Sequence, residues 1–304
     1  MGVKFTNLSL LEALAGHFQT IAPYLLRRVA LPKSESIEIA LSDGDFVDAE
    51  YWKGKGNGLA ILTHGLEGSS KAVYIRALSE SYLKQGWDVL AWNFRGCSGR
   101  MNKNVKLYHS GAYEDLKEVV EFASVRFQPE KIHLAGFSLG GNLTLVLLAK
   151  MSLDWLQKMN IEKGLAISPP LNLAASSKKL DSFWNKAYRY IFLRNLKNKI
   201  IKKWQQFPDS IDLSRLPLCK TIFDFDEYYT APMHGFDGAA DYYKQCSSLH
   251  QLHQIAIPTE IVLAKNDPML ARGNYKEIIN INPLLSVKIL EKGGHCGFWG
   301  MEIY

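Results

Sequence analysis

The sequence predicts one α/β domain built on a mostly parallel, doubly wound sheet with helices on both faces. Three observations predict this class. Five short runs are almost wholly apolar, which is typical of parallel strands buried on both faces. Amphipathic helical patterns alternate with these runs. Hydrophobic residues make up 47% of the 304 residues, enough for a large core, so we expect residues 1–304 to form a single domain.

The first element is predicted from IEIALSDGDFVDAEYW at 37–52, which alternates and turns at Asp-Gly, as an antiparallel hairpin does. The apolar strands follow at 58–64, 88–94, 131–137, 163–169 and 259–265. Helical patterns lie between them, for example AVYIRALSESYLKQG and GAYEDLKEVVEFASVRF. Repeated alternation of this kind places ligands at the carboxyl ends of the strands.

Residues 173–255 interrupt the alternation. They are helical, aromatic and basic, without a convincing apolar strand, and they predict a mostly helical insertion, or lid, over the strand ends. Much of the net charge of +6 lies at 178–206. Such a segment is either a solvated helix face or a surface for peripheral contact with an anionic membrane. It is weak evidence for nucleic-acid binding, which we do not expect.

The cysteines show no CxxC spacing and are too few for a disulfide framework, which fits a reducing compartment. The first twenty residues lack the features of a secretory signal, and no apolar run approaches the ~20 residues that span a bilayer. We therefore expect a soluble, cytoplasmic protein. No metal-ligand spacing such as HExxH is present, so no metal site is predicted. The oligomeric state is not predicted.

The stretch GFSLGGN at 136–142 places Ser138 between glycines directly after the apolar run KIHLA. It fits G-x-S-x-G, in which the serine occupies a sharp turn between a strand and a helix. Gly136 and Gly140 would let the neighbouring backbone pass without a Cβ clash. Because the pattern also occurs by chance, Ser138 is either a nucleophile or a small turn residue until its partners are found.

A serine hydroxyl becomes a nucleophile when a histidine takes its proton and a carboxylate orients that histidine. In α/β enzymes with this turn the chain order is Ser, acid, His, so the histidine should lie C-terminal of Ser138. His295 does so in a glycine-rich loop, GGHCGF, after the strand-like SVKILEK. The other histidines beyond Ser138 lie in the predicted insertion: His234, His250 and His253. We predict that His295 is the base.

The acid should follow a sheet strand between the serine and the histidine. Asp267 in AKNDPML comes shortly after TEIVLA and meets this condition. Its rivals share the stretch FDFDEYYTAPMHGFDG, which has no clear preceding strand: Asp224, Asp226 and Asp237. Asp-Pro after a strand is by itself a turn signal, and only the order of the three residues makes Asp267 the predicted acid.

Acyl transfer also needs two backbone N–H donors for the oxyanion, and losing one can lower the rate by roughly 10²–10³-fold. One predicted donor is the backbone N–H of Leu139, the residue directly after the serine. The second should come from an early loop of the His-Gly type. LTHGLEGSS follows the strand GLAIL, and Leu66 is the predicted donor, although HGLEG on its own could be a glycine turn.

Taken together, these residues resemble the YheT-type family of α/β-hydrolases, a group of predicted and demonstrated carboxylesterases. The resemblance spans most of the chain. Its blocks here are GHFQT, HGLEGSS, NFRGCSG, YHSG, GFSLGGN, SPPLNL, FDEYYTAPMHGF, IPTEIVLAKNDP and GGHCGF. It implies the triad Ser138, Asp267 and His295, no metal or organic cofactor, and hydrolysis of medium-chain acyl esters or lipid esters, in some relatives with acyl transfer to alcohols.

Other residues in these blocks have structural interpretations. We expect Arg95 to anchor a carboxylate or carbonyl groups beside the pocket, and His17, Tyr108 and His109 to fix loops, with direct contact with the substrate as the alternative for each. The thiols near the predicted active loops, Cys97 and Cys296, are expected to be structural because nothing indicates a lowered pKa.

Three hypotheses remain open. The first is a serine carboxylesterase acting on small acyl esters of short to medium chain length. The second keeps the acyl-enzyme but passes the acyl group to an alcohol, as an acyltransferase, or acts on monoacylglycerol-type lipids. The third is a non-catalytic scaffold whose basic lid binds a membrane or a partner. Dehalogenase and epoxide hydrolase chemistry is not expected, because those enzymes carry a carboxylate where this chain has Ser138.

Overall fold

The computed structural model describes residues 10–271, 275 and 278–298. Its core is an 8-stranded sheet in the order β1-β2-β4-β3-β5-β6-β7-β8. The strands are β1 (Glu35–Ala40), β2 (Phe46–Trp52), β3 (Leu59–Thr63), β4 (Asp88–Trp92), β5 (Ile132–Phe137), β6 (Ile161–Ile167), β7 (Thr259–Ala264) and β8 (Leu285–Leu290). The α-helices are α1 (Leu10–Leu26), α2 (Val73–Lys84), α3 (Tyr113–Phe127), α4 (Leu139–Lys150), α5 (Leu153–Lys158), α6 (Leu173–Leu180), α7 (Lys186–Gln206), α8 (Ile222–Phe225), α9 (Ala231–His234) and α10 (Ala239–Cys246).

The sheet is antiparallel only at its N-terminal edge, where β1 pairs with β2 and β2 with β4. The remaining neighbours are parallel. Each of the five apolar runs overlaps an observed strand, and the Asp-Gly turn joins β1 to β2. The predicted fold class, a mostly parallel doubly wound sheet, is therefore confirmed.

The central strands are apolar on both faces because helices cover both faces. In β3, Ile61 belongs to the core cluster that includes α3 and α4, whereas the next residue, Leu62, belongs to the cluster on the α2 side. Leu134 and Ala135 divide in the same way in β5. Successive side chains of a strand point to opposite faces, so a strand between two helical layers needs apolar residues at every position.

The parallel pairing also brings two loops together. Thr63, the last residue of β3, lies opposite Gly136 of β5 in the register of the two strands. The chain after β3 and the chain after β5 therefore leave the sheet side by side, at the carboxyl edge where α/β sheets bind ligands. The first of these loops begins with His64 and Gly65, and the second begins with Ser138.

The segment between β6 and β7 is helical and consists of α6 to α10 with short 3₁₀ and π stretches. It has an apolar cluster of its own, which includes Leu193, Leu196 and Phe225. Leu107, from the loop after β4, joins that cluster. We call residues 173–255 the helical insertion; its action as a lid and its contact with a membrane stay predictions.

The basic stretch at 178–206 is not simply a solvated face, because two of its lysines point inward. Lys203 is fully buried, and its ammonium group donates hydrogen bonds to the backbone carbonyls of Asn102 and Asn104. Lys199 pairs with a buried carboxylate, described below. Within the described ranges, no helix has the length and apolar character needed to cross a membrane.

Candidate active site

Ser138 occupies the bend between β5 and α4. Its backbone has φ 51° and ψ −123°, an unusual conformation for a residue with a side chain. The bend needs its flanking glycines: a Cβ at Gly136 would lie 2.1 Å from the Gly140 carbonyl oxygen, and one at Gly140 would lie 2.5 Å from the Thr63 carbonyl oxygen. The turn presents the Ser138 hydroxyl at the carboxyl edge of the sheet.

The structure brings together the three residues predicted to act as one unit. His295 Nε2 lies 2.9 Å from Ser138 Oγ, and His295 Nδ1 lies 2.8 Å from Asp267 Oδ2. Asp267 is fully buried, and its other oxygen accepts the backbone N–H groups of Met269 and Leu270 at 2.8 and 3.2 Å. Asp267 is thus an acceptor for Nδ1–H, which leaves Nε2 free to take the serine proton.

Asp267 controls the basicity of the histidine. Burial alone would lower the pKa of His295, but the Asp267 carboxylate and the contact with Cys296 outweigh it and hold that pKa well above its usual value. An imidazole with a raised pKa is a stronger base for the serine proton once it is neutral. It also becomes protonated at a higher pH than an ordinary histidine does. As the pH falls, the site should therefore lose its base at a higher pH.

Helix α1 braces the histidine loop, a contact that the sequence did not predict. Thr20 Oγ1 accepts the His295 backbone N–H at 2.8 Å, and Gln19 Oε1 accepts the Gly293 N–H at 2.9 Å. A Cβ at Gly16 would lie 2.0 Å from the carbonyl oxygen of Asn266, so α1 packs directly on the chain beside Asp267. The block GHFQT was a signal of this packing, but its partner could not be identified from the sequence.

The HGLEG loop lies against the candidate nucleophile. A Cβ at Gly65 would be 3.0 Å from Ser138 Cβ. His64, whose pKa burial lowers to about 3, is neutral; it accepts the Phe94 N–H at Nε2 (3.1 Å) and donates from Nδ1 to the Gly65 carbonyl (2.7 Å). Gly65 N–H in turn donates to the Tyr74 hydroxyl at 3.0 Å. The loop is therefore fixed on both sides of its turn.

Two backbone N–H groups are free to face a developing oxyanion. Among the described residues, neither the Leu66 nor the Leu139 N–H donates to a protein acceptor. Leu139 is the first residue of α4, and the first N–H groups of a helix have no intrahelical partner. Both leucines line the same cavity as Ser138 and His295. These are the donors predicted from the sequence, and their role stays a proposal.

A buried ion pair joins the helical insertion to the HGLEG loop. Lys199 Nζ lies 2.7 Å from Glu67 Oε1, with the two side chains only 13% and 5% exposed, and 2.8 Å from Cys97 Sγ. Tyr108 completes the group: its hydroxyl donates to Glu67 Oε1 at 2.7 Å and accepts the Glu67 N–H at 3.0 Å. Because Glu67 follows Leu66 and has a positive φ of 54°, this group holds the turn beside the Leu66 N–H.

We expect Lys199→Met to lower the free energy of unfolding by about 3–5 kcal/mol, because it leaves the Glu67 carboxylate buried without its cation. The double variant Glu67→Gln/Lys199→Met should recover most of that loss, since no charge is left buried. Urea unfolding followed by tryptophan fluorescence measures both. Lys202→Met, at an exposed position of the same helix, is the matched control. A Lys199→Met protein as stable as this control would contradict the importance of the pair.

The candidate site opens into a cavity between the sheet edge and the helical insertion. Its volume is about 110 Å³. One water molecule needs roughly 10–15 Å³ of such space, so the cavity can hold a chain of several atoms. Most lining side chains are apolar, among them Leu107, Leu180, Phe192, Leu196, Ile200 and Phe225. A pocket of this composition suits an acyl chain.

The residues expected to fix loops do make structural contacts. Arg95 binds Asp115 through two hydrogen bonds, at 2.7 and 2.8 Å, and Asp43 at 2.6 Å. His17 stacks on Tyr188 of α7, with its Nδ1 3.2 Å from the tyrosine hydroxyl. His109 accepts the Gly111 N–H at Nδ1 (3.2 Å) and also lines the cavity, so its contact with the substrate stays an alternative prediction.

Cys97 is partly buried, and desolvation of its thiol raises the pKa of that thiol to about 11 despite the nearby lysine. A thiol that holds its proton this firmly is a poor nucleophile at neutral pH. The expected structural role of Cys97 is consistent with this environment. Cys296 donates its backbone N–H to Ser168 Oγ at 3.2 Å and follows the candidate base directly in the chain.

The alternative acids and bases are placed elsewhere. Asp224 caps the start of α8, and Asp237, His250 and His253 are exposed. Asp226 and His234 line the cavity, but neither has a hydrogen bond to Ser138 or His295 within the described part of the chain.

Comparison with known proteins identifies the family and the fold of the chain. A family model described as alpha/beta hydrolase fold matches residues 61–300. YheT of Escherichia coli strain K12, a predicted esterase, is 33% identical over 290 residues, which cover 93% of this chain and 84% of that protein. A monoacylglycerol lipase of Saccharomyces cerevisiae is 28% identical over 79% of this chain and 55% of its own length. The structure of an esterase from Pyrococcus furiosus has a TM-score of 0.57 at 18% identity, covering 88% of this chain and 89% of that one, and shows a shared fold.

Proposed function

Because the chain belongs to the YheT-type family of α/β-hydrolases, we propose that it is a serine carboxylesterase for short- to medium-chain acyl esters. Ser138 is the nucleophile, His295 the general base and acid, and Asp267 the residue that orients His295. Leu66 and Leu139 supply the oxyanion donors, and the helical insertion covers the acyl chain as a lid. The observation that carries the proposal is the continuous chain of contacts from Ser138 Oγ through His295 to Asp267, at 2.9 and 2.8 Å.

In the first half of the reaction, Ser138 Oγ attacks the carbonyl carbon of the ester while His295 Nε2 takes the hydroxyl proton. The carbonyl oxygen becomes an oxyanion that the Leu66 and Leu139 N–H groups stabilise. When the tetrahedral intermediate collapses, the bond to the alcohol oxygen breaks and His295 returns the proton to that oxygen. The alcohol leaves, and the acyl group stays on Ser138 as an ester.

In the second half, water attacks the acyl-enzyme. His295 takes a proton from the water, the same two N–H groups hold the new oxyanion, and collapse returns the proton to Ser138 Oγ. The products are the carboxylic acid and the free enzyme. Asp267 stays ionised throughout and stabilises the imidazolium form of His295. No step requires a group from outside the chain other than substrate and water.

A series of p-nitrophenyl esters tests the proposed function. We expect kcat/KM to increase from acetate to hexanoate or octanoate, as more of the acyl chain contacts the apolar cavity wall, and to fall again at palmitate, which exceeds the cavity. Release of p-nitrophenol gives the rate. The absence of turnover with every ester would contradict an esterase, and a flat profile would contradict the assignment of the cavity to the acyl chain.

The same series can identify the acyl acceptor when dilute ethanol is present and the products are separated by chromatography. The proposed esterase forms mainly the free acid. Formation of ethyl ester in excess of acid would instead show transfer to the alcohol through the same acyl-enzyme. The acceptor is decided at the second half-reaction, so both outcomes are compatible with the site geometry but only the first with the proposed function.

A further inference from the structure

A group of polar side chains within the mostly apolar cavity is not used by the mechanism above. It consists of Asp226, Thr230, Tyr243 and Ser177, all of which line the cavity that contains Ser138; we call it the polar wall. The Tyr243 hydroxyl donates to Asp226 Oδ2 at 2.6 Å, and the Thr230 hydroxyl donates to Oδ1 at 2.7 Å. Tyr243 lies 3.0 Å from Ser177 Oγ and, with its own proton used by Asp226, accepts there.

Asp226 is partly buried, and no lysine or arginine of the described residues is among the charges that act on it. Burial raises the pKa of Asp226 to about 6, the negative charge of Asp181 raises it further, and only the hydrogen bonds from Tyr243 and Thr230 act in the other direction. At neutral pH the group is therefore mostly an ionised carboxylate. A partly buried carboxylate that no cation of the described residues offsets is costly, and its presence in a ligand cavity points to a function.

The carboxylate also has unused hydrogen-bonding capacity. Its two oxygens can accept about four hydrogen bonds, and two are made by side chains of the described residues. The backbone that presents Asp226 is itself unusual: residues Asp226–Thr230 form a π-helical turn between α8 and α9. Such turns are rare and are frequent at functional sites.

We propose that the polar wall is a subsite for a free hydroxyl group of the substrate, with Asp226 as the acceptor that selects hydroxylated esters over apolar esters of the same size. This proposal rests on the proposed function. A hydroxyl group can donate to the remaining lone pairs of Asp226. An alkyl group in the same place would remove water from Asp226 and return no hydrogen bond, which lowers affinity.

The hydroxyl can belong to the alcohol part or to the acyl part of the ester, and two matched pairs of substrates distinguish these sources. Hydroxyethyl hexanoate and propyl hexanoate differ by a hydroxyl in the alcohol part. Methyl hydroxyhexanoate with a terminal hydroxyl and methyl heptanoate differ in the acyl part. Within each pair the number of non-hydrogen atoms is equal, so the ratio of kcat/KM values measures the hydroxyl alone.

For the wild-type enzyme we expect a ratio of about 10–100 in favour of the hydroxylated ester in one of the two pairs, the range for a hydrogen bond to a charged group. Asp226→Asn should lower that ratio at least tenfold, because the neutral amide is a weaker acceptor for the hydroxyl and costs less to desolvate beside an alkyl group. Asp224→Asn is the matched control, because Asp224 lies two residues away but caps α8 and does not line the cavity. It should keep the wild-type ratio.

Ratios near one in both pairs for the wild type, or an unchanged ratio in Asp226→Asn, would overturn the subsite. If Asp226→Asn does not fold, Thr230→Val replaces it: the same shape without the hydroxyl frees one oxygen of Asp226, and the ratio should increase. An unchanged ratio in Thr230→Val would then overturn the subsite. The proposed function fails separately, when the wild type cleaves none of the four esters.

Discussion

Replacing Ser138 by alanine is expected to lower kcat for p-nitrophenyl butyrate by about 10⁶-fold, the largest effect of any single substitution in this chain. Among the residues that the structure describes, the Ser138 hydroxyl is the group within hydrogen-bond distance of His295 Nε2, at 2.9 Å. Without it no acyl-enzyme forms, and only binding and the oxyanion donors are left to act on water. The release of p-nitrophenol measures kcat, in a continuous assay for the wild type and after long incubation and quenching for Ser138→Ala.

A serine elsewhere provides the control. Ser36→Ala, at an exposed position of the edge strand β1, should keep wild-type kcat and KM. Because alanine keeps the Cβ of Ser138 and removes only the hydroxyl, the strained bend is unchanged and the variant should stay folded, with a melting temperature close to that of the wild type. A folded Ser138→Ala protein that retains wild-type turnover would contradict the assignment of the nucleophile.

Asp267→Asn is expected to lower kcat by about 10⁴-fold. The amide can still occupy the place of the carboxylate, but it no longer stabilises the imidazolium and it favours the wrong tautomer of His295. The matched control is Asp237→Asn, an exposed aspartate from the stretch that contained the alternative acids. Wild-type turnover in Asp267→Asn would contradict the assignment, as would a comparable loss in Asp237→Asn.

The same pair of variants gives a pH test whose sign follows from the pKa of His295. Asp267 holds that pKa well above its usual value, so kcat/KM for the wild type should fall as the pH decreases through it and His295 becomes protonated. Removing the carboxylate charge lowers the pKa. The acid limb of kcat/KM should therefore move to lower pH in Asp267→Asn and stay in place in Asp237→Asn.

The sheet could be predicted from the sequence because its strands are covered on both faces. The run at 131–137 became β5 (Ile132–Phe137) with an error of one residue. The run at 163–169 became β6 (Ile161–Ile167), two residues earlier, because Ser168 adopts a positive φ of 50° and ends the strand. Strand ends depend on local backbone geometry and on neighbours, which an apolar pattern does not encode.

The three residues of the candidate triad could be selected from chain order and from the strands before them. Their contact distances could not, because loops after three different strands must converge. The contacts that involve the rest of the chain were less accessible still. In the sequence, Lys199 is one of many basic residues on a predicted helix, and no pattern indicates that it forms an ion pair with Glu67. The sequence offers Asp226 as an alternative acid for the triad. Its position in the cavity could not be predicted, because that position depends on how the helical insertion packs.

The acyl-enzyme on Ser138 can be measured directly. Enzyme is mixed with p-nitrophenyl butyrate, quenched in acid during turnover, digested and examined by mass spectrometry. We expect one butyryl group on the peptide that contains Ser138, its disappearance when the substrate is exhausted, and no adduct in Ser138→Ala. Turnover without an adduct on Ser138, or with the butyryl group on another residue, would contradict catalysis through this serine.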